Sequence, residues 1–110
     1  MSDTLDTLRH TFGILRAKYQ FKLPGTVAQF ENLWRRILAA EAPVSELGDL
    51  IQIAHKIAGT GKTFGFGPAG EVAREIELCL EPVCAAGRLP DAAEQERIAT
   101  LLAALKIAAH

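Results

Sequence analysis

Long apolar runs are missing from this sequence: nothing in it approaches the roughly 20 residues needed to span a bilayer, so no membrane association is expected. The first residues, Met1-Ser2-Asp3-Thr4-Leu5-Asp6, hold two acids and no basic stretch followed by an apolar one. They do not read as a secretory leader, and a cytoplasmic location is the expectation. Cysteine is scarce. Cys79 and Cys84 stand five apart with no second pair, a spacing that turns them to different helix faces and suits neither a zinc site nor a local disulfide. No metal site is expected, and both thiols read as reduced packing residues. A net charge of −1, with no basic stripe interleaved with aromatics, gives no reason to expect nucleic acid.

Aromatic and β-branched runs are also sparse, with five phenylalanines, one tryptophan and one tyrosine. What fills the chain is alanine, leucine, glutamate, arginine and isoleucine, a balance that favours helices packed on helices over a sheet. At 110 residues, residues 1–110 make one domain with one core. The expected fold is all-α, an antiparallel four-helix bundle with an additional N-terminal helical segment.

Leu5, Leu8, Phe12 and Leu15 recur at steps of three and four, which predicts an amphipathic helix from Asp3 to Lys18. Leu23-Pro24-Gly25-Thr26 interrupts the pattern, with Pro24 suited to the first turn of a new helix. Val27, Phe30, Leu33, Trp34, Ile37 and Leu38 carry that helix to about Ala40, and Ala42-Pro43 closes it. Ser45 is the candidate cap of the next helix. Its seam runs Leu47, Leu50, Ala54, Ile57, Gly61 and Phe64. Gly65-Phe66-Gly67-Pro68 breaks it. A fourth segment turns Val72, Ile76, Leu80 and Val83 inward and leaves Glu71, Arg74, Glu75 and Glu77 more exposed. After the turn at Gly87-Arg88-Leu89-Pro90-Asp91, Ile98, Leu101, Leu102, Leu105 and Ile107 drive the last helix.

The chemistry concentrates in one stretch, His55-Lys56-Ile57-Ala58-Gly59-Thr60-Gly61-Lys62-Thr63-Phe64-Gly65-Phe66. Gly61-Lys62-Thr63 has the letters of a phosphate-binding loop. Such a loop needs a glycine five positions before the triplet, and Lys56 stands there; it also needs a preceding strand, whereas a helical seam crosses the segment. The nucleotide-binding reading fails on both counts. On a helix at 100° per residue, Gly59 lies about 40° and Lys62 about 20° from His55, so the three form one surface strip flanked by Lys56. Gly59 clears space above the imidazole, and Lys56 and Lys62 supply positive charge. No acid occurs between Leu50 and Gly70. An exposed histidine in such surroundings suits a nucleophile for a doubly negative phosphoryl group.

Residues 54–66 closely resemble the signature of histidine-containing phosphotransfer domains, including the form found in chemotaxis kinases: histidine, glycine four later, then Thr-Phe-Gly-Phe at the helix end. The resemblance is strong over this helix and extends into the next; elsewhere it lies in the helical layout. It implies a bundle that displays His55 as phosphoacceptor and, 22 residues on, Glu77 as the side chain that orients the imidazole. It implies a relay with response-regulator receiver domains and a sensor histidine kinase, no cofactor of the chain's own, and magnesium carried by the partner receiver. The lysine often found three after the histidine is Ala58 here. Lys56, Gly59 and Lys62 are the candidate phosphate-stabilising residues, and Ile51 and Ala58 with Gly59 the candidate docking surface. The alternative is an adapter of the same fold that docks a receiver or kinase without being phosphorylated. If Lys62 takes over from the missing lysine, Lys62→Ala should shorten the phosphohistidine lifetime and slow transfer, measured with labelled phosphate; unchanged values would remove that role.

Overall fold

The computed structural model describes residues 2–110, with side chains described from Asp3 onward. Four α-helices follow one another: α1 (Ser2–Leu38), α2 (Leu47–Gly61), α3 (Gly67–Ala85) and α4 (Ala92–Ala108), with one 3-10 turn at Val44–Glu46. The connections are short, so successive helices run antiparallel, and α4 returns to pack against α1. The all-α bundle with an added N-terminal helical segment is therefore the architecture, with one correction to the helix boundaries.

Pro24 does not start a new helix. It lies inside α1, a single helix of 37 residues. The molecule's longest dimension, 56 Å, is close to the ~55 Å expected of a straight helix of that length. Pro24 removes one backbone donor, and the apolar stripe of Leu23, Val27, Phe30, Trp34 and Ile37, all buried, holds the helix on both sides of it. The additional N-terminal segment is thus the first half of α1. It runs past the bundle, and Leu5, Leu8, Phe12 and Leu15 stay exposed there. The chain leaves α1 earlier than Ala42-Pro43 suggested: Ala40 adopts φ of 59°, and Glu41 N–H closes on the Arg36 carbonyl at 2.8 Å, the pattern of a left-handed helix terminus. Ser45 is not the cap of α2. It sits within the 3-10 turn, and the residue preceding α2, Glu46, makes no side-chain cap.

Phe64, expected to close the α2 seam, falls past the end of the helix and is half-buried, whereas Leu47, Leu50, Ala54, Ile57 and Gly61 all face the core. They meet Ala69, Ala73, Ile76, Leu80 and Val83 of α3, and Ile98, Leu101, Leu102 and Leu105 of α4 close the far side. Val72 is only half-buried. Ile107, expected in the core, is 79% exposed, because it falls two residues beyond Leu105 and so turns to the opposite side of the helix. The start of α4 is fixed by a reciprocal capping box in which Asp91 accepts from Glu94 N–H and Glu94 from Asp91 N–H. Hydrogen bonding from Arg88, then from the Asp91 backbone, holds the Glu94 carboxyl down at about 2. Its stabilising contribution is present above the ordinary carboxylate range and fades as pH falls toward that value.

Two glycines of α2 differ in kind. At Gly61 a Cβ would lie 2.9 Å from the Phe66 carbonyl oxygen and 3.1 Å from Gly70 Cα, whereas at Gly59 it would meet nothing within 4 Å. Gly61 and Gly70 thus let the end of α2 approach the start of α3, and Gly59 has no packing duty. In urea unfolding, Gly61→Ala should lose about 1–3 kcal/mol by overpacking. Gly59→Ala should gain about 0.5–1 kcal/mol of stability, since alanine is the better helix former.

Candidate functional site

The periodicity that buries Ala54 and Ile57 turns His55 outward, and its side chain is 65% exposed. Across the interface, α3 places Glu77 under the ring. Nδ1 of His55 lies 2.7 Å from Oε2 of Glu77. An ionised carboxylate can only accept, so the proton of this hydrogen bond sits on Nδ1, and in the neutral ring the Nε2 lone pair is left free toward solvent. Glu77 corrects an expectation: it is 4% exposed, not on the outer face of α3. It sits one residue after Ile76 on the edge of the core stripe, and α2 covers it.

A second partner makes that burial tolerable. Arg74, one turn earlier on α3, donates to Oε1 of Glu77 at 3.0 Å, so each carboxylate oxygen has a charged or chargeable donor. No buried side-chain nitrogen or oxygen among the described residues lacks a hydrogen-bond partner. The sequence pattern alone leaves Arg74 on the exposed face without a role. The signal available was its i, i+3 spacing from Glu77, legible only once Glu77 is known to be buried.

The two lysines fall on opposite flanks of His55. Lys62, just past α2 and still helical in backbone (φ −61°, ψ −41°), borders an open groove of about 470 Å³ between α2 and α3 with Ala58, Gly70, Glu71, Arg74 and Glu75. Lys56 borders a smaller recess of about 90 Å³ against α1, beside Tyr19, Lys22 and Thr60. Both lysines are exposed. The stretch from Leu50 to Gly70 is free of acids, but the groove is not, because α3 brings Glu71 and Glu75 alongside Lys62. Lys62 therefore works in a mixed field, and Arg74 is a second cation on that flank. Ala58 is half-buried beside the groove, and Ile51 is half-buried against the core. The open space over Gly59 leaves the face of α2 next to His55 uncovered.

The Thr-Phe-Gly-Phe end of α2 packs on α1. Phe64 stacks on Phe12 at 5.8 Å and on Tyr19 at 5.0 Å, and Phe66 tilts against Tyr19 at 5.7 Å. Gly65 makes the turn with φ of +86° and lies against the Arg16 guanidinium. Thr60 donates to the Lys56 carbonyl at 2.7 Å and pairs with the Tyr19 hydroxyl at 3.1 Å. These letters anchor the helix that carries His55.

Cys79 and Cys84 are free thiols, half-buried, and burial pushes the Cys79 thiol up. No group of three or more potential metal ligands occurs among the described residues, and none of the described helices is long and apolar enough to cross a membrane.

The model of the Hpt domain family matches residues 3–108, which takes the likeness beyond α2 and α3 to nearly the whole chain. No curated protein and no solved structure matches. The chain belongs to the Hpt domain family. Its class role is phosphotransfer, as a phosphocarrier that needs no cofactor itself and that interacts with receiver domains and histidine kinases.

Removing the carboxylate should free the ring. In ¹⁵N NMR, His55 should carry its proton on Nδ1 in the parent and redistribute toward Nε2 in Glu77→Ala. Arg74→Ala should cost about 1–3 kcal/mol of stability by leaving Oε1 of Glu77 without its partner.

Proposed function

We propose that residues 1–110 form a single phosphorelay domain that accepts a phosphoryl group on His55 and passes it to a receiver domain. The observation that carries this reading is the hydrogen-bonded chain Arg74–Glu77–His55, which ends in an exposed nitrogen beside cations. The Nε2 lone pair attacks the phosphorus of an aspartyl phosphate in line; the bond from phosphorus to the aspartyl oxygen breaks, and the carboxylate leaves with the electron pair. Nε2 has no proton to lose. The ring, now bonded to phosphorus and still protonated at Nδ1, becomes cationic, and the buried Glu77 carboxylate offsets that charge. Return transfer to a second receiver reverses these steps.

Lys62 and Arg74 on one flank and Lys56 on the other attract the transferring group and its donor. Ile51, Ala58 and Gly59 offer the small, partly apolar surroundings that exclude water from the reacting atoms. Magnesium belongs to the receiver. The same reading puts the chain in the cytoplasm with its receivers and a sensor kinase.

Incubation with a labelled phospho-receiver tests it. The expected outcome is acid-labile, alkali-stable label on this chain, lost in His55→Gln. Retained receiver binding with no label would replace the relay by an unphosphorylated adapter, and saturable ATP binding lost in Lys62→Ala would point to a nucleotide protein.

A further inference from the structure

The two oxygens of the Glu77 carboxylate have unlike partners. Oε1 accepts from the Arg74 guanidinium at 3.0 Å, and Oε2 faces Nδ1 of His55 at 2.7 Å. A guanidinium is charged at every pH a protein meets, whereas an imidazole gains or loses its charge near neutrality. The Glu77 side chain is 5% exposed and that of Arg74 56%, so the arginine brings its charge to a buried carboxylate from the solvent side. A buried carboxylate is stable only beside a compensating charge. With Arg74 in that part, the histidine need supply no more than a neutral N–H donor.

The consequence falls on the nucleophile. Attack on phosphorus uses the lone pair of Nε2, so the ring must be neutral with its hydrogen on Nδ1. Were His55 the sole partner, the buried carboxylate would draw one more proton into the pair. If the imidazole takes it, both ring nitrogens carry hydrogen. If the carboxyl takes it and donates to Nδ1, the ring's own hydrogen stands on Nε2. Either way the attacking lone pair is lost. Of the other charges near the ring, Lys56 and Lys62 on α2 are exposed on its two flanks, Glu71 and Glu75 of α3 share the groove of Lys62, and Lys22 of α1 shares the recess of Lys56. Among the described residues, the ion-pair partners of Glu77 are His55 and Arg74.

We propose that Arg74 is a positioning residue for the nucleophile: its fixed charge satisfies Glu77, so that His55 keeps a free lone pair on Nε2. Arg74 acts through Glu77 and not by touching the transferred group. The inference rests on the phosphorelay reading for its purpose, while its test reads the imidazole directly.

The test is ¹⁵N NMR of His55 in the whole chain across the imidazole range, roughly pH 5.5 to 9. In Arg74→Gln, which keeps a donor but no charge, Nε2 should hold its proton to higher pH than in the parent. Arg74→Lys, which restores the charge, should return most of the way. In a Glu77→Gln background, Arg74→Gln should move the profile little, since the carboxylate that carries the effect is gone. Transfer from a labelled phospho-receiver should follow the same order: about three- to tenfold slower near pH 7 in Arg74→Gln, one unit of displacement being a factor of ten, and recovering as pH rises. A profile in Arg74→Gln that coincides with the parent's, even with a lowered melting temperature, would overturn the proposal. So would a displacement equally large in Arg74→Lys or in the Glu77→Gln background. A parent that takes no label from any receiver would remove the relay reading instead, and the NMR comparison would still decide the role of Arg74.

Discussion

A carboxylate that is 4% exposed in the middle of a helix interface is the constraint around which this site is built. An ionised group that far from water needs charged or strongly polar donors on both oxygens, and removing either donor leaves it uncompensated. Arg74 comes from the same helix and His55 from the neighbouring one. The interface between α2 and α3 is therefore tied together by the same contact that fixes the imidazole. The close approach of the two backbones at Gly61 and Gly70 lies two turns from Glu77 along α3 and belongs to the same requirement. If the helices separated there, the His55–Glu77 hydrogen bond would lengthen.

Exposure and burial are divided within one hydrogen-bonded chain. Glu77 sits in low-dielectric surroundings, where its hydrogen bonds are strong, while the opposite edge of the imidazole faces water and any arriving partner. The cations are spread across two flanks, with Lys56 toward α1 and Lys62 with Arg74 toward α3. Glu71 and Glu75 temper that charge on the side of α3. Ala58, half-buried beside the same groove, adds no charge of its own.

The helical seam of α2 was legible without coordinates because it is a one-dimensional pattern: a 3.6-residue period decides which residues can share a face. Periodicity alone placed His55 outside the core and Gly59 and Lys62 near it, and the left-handed glycine at Gly65 followed from the turn it had to make. The break that Pro24 signals does not form, for an energetic reason. A proline costs a helix one hydrogen bond and some strain, and the packing of Leu23, Val27, Phe30 and Trp34 outweighs that loss. Local punctuation could not reveal the comparison.

The sequence by itself therefore determined the class of fold, the outward direction of His55 and the family to which the chain belongs, since each rests on short-range pattern. Tertiary structure alone decided that Glu77 is buried, that Arg74 completes it, that two acids of α3 stand beside Lys62, and that α1 extends beyond the bundle on the N-terminal side of the Phe12–Phe64 contact. The physical reason is common to all four. Burial and pairing across helices depend on which faces meet and at what distance, and no window of neighbouring residues contains that information.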